Sequence, residues 1–386
     1  MADSQFDETT YRVDPFFSVL FLFCSAGCQF TSLAAEESIL EKIEKTYNVK
    51  AGGSLTIVSE FGAIEIQTTE QDKVEIVVTK AAKSLKRSAK EALADFEVAF
   101  SPENIGAPTF GQEDDTPDYL SVVPEDADVY IQGKFKHGRE RWRKILNRLE
   151  IRFHVTVPKN YNVDLSTQGG SIKVGDLDGT VRAHTSGGSL RFGNITGTVW
   201  GRTSGGSIKL TSCGSPVDLK TSGGSIEVVD VAGDVQAQTS GGSLRFGAIQ
   251  GSIWGKTSGG SIKIASCSGG ADVQSSGGSI RLESIGGNVN AKTSGGIIRA
   301  TMTTQPQDEC NLRTSGGGIT LTLIPDIAVD VEAETSGGRV STDFAVESAI
   351  QGKVPRNRLK GSINGGGPLL KLRTSGGSIR LQKAAD

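Results

Sequence analysis

From about residue 163 onward, apolar and polar positions alternate in very short runs, and Gly, Ser and Thr fill the gaps between them. Within residues 205–222 the apolar positions are Ile208, Leu210, Cys213, Val217 and Leu219, with period two inside each run. This pattern predicts two short strands in 18 residues. Helices do not fit. Runs this short cannot form a stable helix, and a recurring Gly-Gly pair would break a longer one.

The spacing of the glycines sets the architecture. Gly-Gly pairs begin at Gly169, Gly187, Gly205, Gly223, Gly241, Gly259, Gly277 and Gly295, all 18 residues apart, and again at Gly316, Gly337 and Gly376, usually after Thr-Ser. A period of 54 is also present. Residues from Thr185 read TSGGSLRFGNITGTVWGRTSGGSIKLTSC and residues from Thr239 read TSGGSLRFGAIQGSIWGKTSGGSIKIASC, as duplication of three-coil blocks would leave them. Such short strands are stable only if each coil pairs with the next. The expected fold class is therefore all-β, a parallel β-solenoid of 18-residue coils stacked ~4.8 Å apart.

Stacking requires columns of like side chains. One is Ile172, Leu190, Ile208, Ile226, Leu244, Ile262, Ile280 and Ile298, a second runs from Val174 through Phe192 to Leu282, and a third runs from Leu177 through Cys213 to Ile285. On the other strand Val181, Val199, Val217, Val235 and Ile253 continue the pattern. Where the core receives Phe192 or Phe246, the facing inward site is Gly201 or Gly255, which keeps the interior volume constant. The Gly pairs are expected at left-handed turn positions. The hydroxyl column Thr185, Thr203, Thr221, Thr239, Thr257 and Thr293 suits hydrogen bonding at the turns. Right-handed crossovers are adopted as the rule for parallel connections. Two strands and two turns per coil favour a flattened two-sheet cross-section. About twelve coils over residues 163–381 would form a rod roughly 55 to 60 Å long.

The remainder of the chain divides in two. Residues 1–35 hold an apolar stretch at 16–24 followed by Ser25, Ala26 and Gly27, resembling an export signal whose n-region is unusually acidic. Its two endings are cleavage near Ala34 and a lipoprotein-like Ser-Ala-Gly-Cys with lipidation at Cys28. Residues 36–160 are expected to form a small α+β cap over the open solenoid end. Three alternating strands fall between residues 47 and 80, and one short helix spans 84–95 with Leu85, Ala89, Leu93 and Ala94 on one side. An acidic loop at 113–128 and a basic segment at 137–152 follow. Residues 161–386 form the solenoid, and the loop 347–360 and the ending LRTSGGSIRL are expected to close its last coil.

Composition narrows the class of function. With 41 Lys+Arg against 44 Asp+Glu the net charge is −3, so the balance points to neither nucleic acid nor a polyanion. Gly is 50 of 386 residues, aromatics are 6% and Met is 2, unlike an ordinary helical enzyme core. Pro at 11 and hydrophobic residues at 36% fit neither collagen nor a disordered chain. The lack of an 18-residue apolar run argues against a spanning helix.

Four segments together carry a family resemblance: YNVKAGGSLTIVSEFGAIEI, VTVPKNYNVDLSTQGGSI, the repeated TSGGSI coils, and NGGGPLLKLRTSGGSIRL. Across residues 45–383 the chain resembles the bacterial putative-adhesin family with a β-strand repeat, a domain of unknown function. The resemblance implies a β-helical protein of the cell envelope or a secreted one. It implies no established reaction and no catalytic residues.

Two outward features are candidate ligand-binding sites. Lys173, Arg191, Lys209, Glu227, Arg245, Lys263, Arg281 and Arg299 stack between the two inward residues of one strand. Like charges at coil spacing repel, so a basic stripe suits an anionic polysaccharide or envelope polymer. The bland alternative is a solvated face whose long side chains splay apart or meet the chain's own acidic loop. Trp200 and Trp254 point outward on the other strand, three coils or about 14 Å apart, with Asp218 and Gln236 between them. They suit a sugar ring or a protein partner, or else packing beneath the cap.

Other chemistry finds little support. The Thr-Ser-Gly-Gly-Ser turn lacks the carboxylate of a calcium-binding β-roll. Cys213 and Cys267 share an inward site three coils apart, too far for a disulfide, and read as buried thiols; Cys310 has no evident partner. His137, His154 and His184 form no zinc spacing with cysteines. Asp218 and Asp272 share a column about 14 Å apart, outside the roughly 5 to 10 Å that a glycosidase pair needs. Asp176, Asp230 and Asp234 have no partner on the next coil. The sequence therefore reads as a non-catalytic, exported adhesin-like β-solenoid without metal or cofactor. Its expected partners are an anionic polysaccharide or another surface protein, with membrane contact only through a lipid anchor. A self-associating scaffold or envelope-stress sensor module is the alternative, and a carbohydrate-active enzyme the more distant one.

Overall fold

The computed structural model describes residues 39–82, 87–101, 128–347 and 356–384. The leader 1–35 with Cys28, the acidic loop up to residue 127, and residues 348–355 of the closing loop lie outside the described residues.

Two sheets of fifteen strands each face one another across a single core, the flattened two-sheet cross-section that two strands per coil favour. Sheet one carries the strand after each Gly pair, such as Ile208–Cys213. Sheet two carries the strand before the next pair, such as Val217–Thr221. Strands one coil apart pair in parallel and in register: Leu190, Ile208, Ile226 and Leu244 stand directly over one another, as do Val181, Val199, Val217 and Val235. All these side chains are nearly inaccessible to solvent. Full burial of an aliphatic side chain contributes about 1.5–3 kcal/mol, so the stacked columns are the main source of cohesion.

The turn segment also holds the coils together through polar contacts. Thr221 Oγ1 donates to the carbonyl of Gly206 at 2.7 Å in the preceding coil and accepts the Gly224 amide at 3.3 Å. Thr185, Thr203, Thr239, Thr257 and Thr293 repeat the first of these bonds. A second ladder runs through serines, in which the Ser207 amide donates to Ser189 Oγ at 3.3 Å and Ser225 to Ser207 at 3.2 Å. The expectation of left-handed glycines is corrected here. Among the repeat pairs only Gly170 has φ in that range, at 140°. The second glycine of each pair is required by close approach instead, since a Cβ on Gly206 would lie 2.0 Å from the carbonyl oxygen of Gly188.

Chain order and spatial order part at both ends. Sheet one runs through Ile39–Asn48, Lys73–Ala82, Leu149–Pro158, Ala63–Thr69 and Ile172–Val174, and finishes with Ile319–Leu323, Ile379–Lys383 and Val340–Thr342. Residues 54–69, placed in the cap by the sequence reading, therefore make a full coil directly against the first repeat, covered by residues 129–158. At the other end residues 369–383 are inserted between the coil of 310–323 and that of 329–342. Antiparallel strands cover the outermost parallel ones at the first end of sheet one and at both ends of sheet two, while Val340–Thr342 leaves sheet one a parallel edge at its other end.

The cap helix is Arg87–Asp95 in its described part, with Ala89, Ala92 and Leu93 buried and Ala94 exposed, so its inner face is rotated from the expected one. Its last residue, Asp95, accepts hydrogen bonds from Trp142 Nε1 and from the His137 ring and amide, which ties the basic segment down. Burial, the largest single influence on the Asp95 carboxyl, raises it, but these contacts together outweigh burial and hold it below its usual range.

Candidate functional site

Outward positions of sheet two form one column: Asp164, Arg182, Trp200, Asp218, Gln236, Trp254, Asp272 and Asn290 occupy successive coils. The alternation that buries Val199 and Ile253 is what turns their neighbours Trp200 and Trp254 outward. Beside this column lies the turn that precedes each strand, with Thr198, Pro216, Asp234, Ser252, Gly270 and Asn288 at equivalent places. All are small or cyclic, so the space above them is open. The result is a groove of about 700 Å³ lined from Thr198 to Asn290, running parallel to the rod axis.

Its two tryptophans differ. Trp254 is 38% exposed and stands on the groove wall. Trp200 is half buried, and the Arg202 guanidinium lies over its ring at 4.7 Å. Arg202 also grips Asp218 with both of its terminal nitrogens, one contact measuring 2.9 Å. The Asp218 charge is thereby matched within the protein. Asp234 spends Oδ1 on the Ser252 amide at 2.7 Å. Two coils before Trp200, burial pushes the Asp164 carboxyl up despite Arg182 at 3.5 Å. Asp272, Asn288 and Asn290 line the far half of the groove.

The basic column occupies sheet one, the opposite wall, in the expected register. Carboxylates of the chain interrupt it. Lys173 meets Glu65 at 2.8 Å, Lys209 meets Glu227 at 3.3 Å, and Lys263 and Arg281 reach Glu283 at 3.1 and 3.9 Å. The hydrogen bond from Lys173 holds the Glu65 carboxyl below its usual range. Among the described residues Arg191, Arg245 and Arg299 have no carboxylate partner. They stand three coils apart, repeating the 54-residue period.

The structure thus separates the two groups of site residues named from the sequence: Trp200 and Trp254 share a groove, and the cations lie behind it. Arg202, Asp272, Asn288 and Asn290 were not singled out as ligand contacts. Adding 18 to Trp254 and then to Asp272 would have found two of them, and Arg202 is two residues beyond Trp200 on the same outward face. Asp218 and Asp272 are three coils apart, as their spacing implies.

The thiols of Cys213, Cys267 and Cys310 are buried. Cys213 and Cys267 Sγ each lie 3.1 Å from a turn carbonyl, of Gly197 and Gly251, and burial pushes Cys267 up to about 11. Cys310 Sγ accepts the Val289 amide at 3.3 Å.

No curated protein matches the chain. Among solved structures, a putative cell adhesion protein from Clostridium sporogenes is 13% identical with a TM-score of 0.18, covering 89% of this chain and 100% of that one. A putative adhesin from Bacteroides fragilis is 11% identical with a TM-score of 0.23, covering 89% and 97%. One from Parabacteroides distasonis is 9% identical with a TM-score of 0.28, over the same shares. The family model described as Toastrack DUF4097 matches residues 53–382, and the chain belongs to that family.

Proposed function

We propose that this chain is a non-catalytic, exported adhesin-like binding module whose groove on sheet two takes a glycan strand along the rod axis. The observation that carries this reading is Trp254, a solvent-facing indole on the wall of a groove where apolar residues such as Trp200, Pro216 and Ala271 alternate with Asp, Asn, Gln and Ser side chains. A pyranose ring has an apolar C–H face and a rim of hydroxyls. It stacks on an indole while amide and carboxylate groups accept and donate at its rim. Six coils give the groove a length of about 24 Å, enough for several sugar units. Asp218 is neutralised by Arg202, while Asp234 and Asp272 remain, so the groove favours an uncharged glycan over an anionic one. A non-catalytic role fits the same geometry, because the Asp218 carboxylate is committed to Arg202 and Asp272 is far from it.

The basic column remains part of the proposal as a separate contact, in which Arg191, Arg245 and Arg299 would hold an anionic polymer on the other wall. A glycan array probed with the full chain tests both. Retention of neutral oligosaccharides, lowered at least tenfold by W254A and unaffected by combined R245E, K263E and R281E, supports the groove. Retention of only anionic polymers, lost in the triple variant, assigns binding to the column instead. Wild-type retention by W254A and D272A alike would refute the groove.

A further inference from the structure

We propose that a cleft at the C-terminal end of sheet one is an oxyanion site that receives a phosphoryl group. The cleft has a volume of about 630 Å³ and brings together Arg339, Arg356 and Arg380 with Thr320, Ser341 and Ser378. Three features of the chain build it.

First, the inserted strand Ile379–Lys383 lies between Ile319–Leu323 and Val340–Thr342, so Arg380 stands between Thr320 and Ser341. Elsewhere in the basic column of this wall each cation has at least one long charged neighbour, but here both neighbours are short hydroxyl residues and leave a concavity. Second, Arg339 occupies the position that serine holds in most coils. Its amide donates to Ser378 Oγ at 3.2 Å, continuing the serine ladder, while its side chain adds a guanidinium at the cleft wall. Third, Arg356 is brought in from a distant segment and held by its own carbonyl, which accepts the Val340 amide at 2.9 Å.

All three arginines are exposed, and among the described residues none forms an ion pair. Glycines 337 and 338 add no bulk. Three unpaired guanidiniums in one concavity repel one another unless an anion joins them. The planar guanidinium fork matches phosphate and carboxylate oxygens, and hydroxyl donors complete the shell of a tetrahedral anion. A concavity in which three arginines and three hydroxyl residues converge fits one compact group better than a polymer lying along a stripe.

Calorimetric titration of the full chain at low salt, with inorganic phosphate and with a hexose phosphate, tests the site. Saturable one-site binding is expected, weakened at least tenfold by R339Q and by R380Q, and unchanged by R245Q and W254A. A hexose phosphate that binds tighter than phosphate identifies a phosphorylated sugar as the source, and the reverse order identifies the free anion. Because the arginines are exposed, the melting temperature of each variant should match that of the parent, and R356Q provides an independent third variant. Absence of saturable binding, or binding equally strong in R339Q, R356Q and R380Q, would overturn the proposal. Loss of binding in W254A would instead place the ligand in the groove.

Discussion

Each residue of the Thr-Ser-Gly-Gly-Ser-Ile segment meets a different physical demand, and two of those demands were visible before the structure. Ile at the last position is a core column, and Thr at the first is a turn hydroxyl. The role of the second glycine was not, because a local string shows that Cβ is absent without showing which atom excludes it. Only the stacked backbone, 2.0–2.1 Å from a hypothetical Cβ at Gly206 and Gly224, supplies that reason. The pairing of Phe192 with Gly201 was legible, since both follow from alternation and conserved volume. It makes a quantitative comparison. A Cβ on Gly201 would lie 2.9 Å from Leu219 Cδ2 and 3.2 Å from Phe192 Cε2, whereas one on Gly255 meets nothing closer than 3.3 Å. Overpacking costs typically about 1–3 kcal/mol, so G201A should be destabilised by that amount in denaturant unfolding and G255A by less. F192L combined with G201A should regain most of the loss, and additive effects would refute the contact. A second prediction concerns Cys267. Its pKa, raised by burial to about 11 from an ordinary value of 9.0, favours the neutral thiol of the folded state. That contribution is complete below about pH 9. It disappears as pH rises towards 11, because the unfolded chain ionises first. Thermal midpoints of the parent should therefore fall across this window more steeply than those of C267V.

At the scale of the strand, register was readable and order was not. Columns of like side chains make any two coils compatible neighbours, so the repeat encodes how a coil stacks but says little about which coil it meets. The change of interval to 39 residues between Gly337 and Gly376 was the trace of the inserted coil in the sequence. Likewise residues 54–69 looked like cap strands because they lack the Thr-Ser-Gly-Gly motif, although Leu55, Ile57, Ile64 and Ile66 fill the same inward columns. Insertion has a measurable consequence. Strands Leu369–Thr374 and Ile379–Lys383 have parallel partners on both sides, while Val340–Thr342 and Arg358–Ile363 lie at the sheet edges. Native-state hydrogen exchange should find the amides of the last two repeat strands slower than those of 340–342 and 358–363, even though they come later in the chain. If protection instead decreased steadily with residue number, coils would be stacked in chain order and the cleft of Arg339, Arg356 and Arg380 would not form.

For the whole molecule, the question is how a stack of self-compatible coils stops. An open parallel end presents unpaired backbone groups and would accept another copy, which is the basis of a self-associating scaffold. Among the described residues three of the four sheet ends are antiparallel, and the fourth is the three-residue parallel strand Val340–Thr342 of sheet one. Sheet one ends on the antiparallel strand Ile39–Asn48, whose sequence ILEKIEKTYN places Glu41, Lys42, Glu44 and Lys45 along the edge. Sheet two ends on Arg358–Ile363, also antiparallel, with Arg358 and Lys360 exposed. Reversed direction denies an incoming coil the parallel register on which every column depends, and edge charges oppose strand-to-strand addition. We expect end-to-end growth to be opposed at these antiparallel edges, which leaves the walls for contact, with the tryptophan groove on one and the arginine cleft on the other. The weight-average mass of the full chain in light scattering should accordingly stay at 40.5 kDa, the monomer value, as concentration rises tenfold. A mass that climbs with concentration and falls back when W254A is introduced would show lateral pairing through the groove. One that climbs regardless of W254A, and is suppressed by added charge on residues 39–48, would mean that the ends do pair and that scaffolding is the primary role.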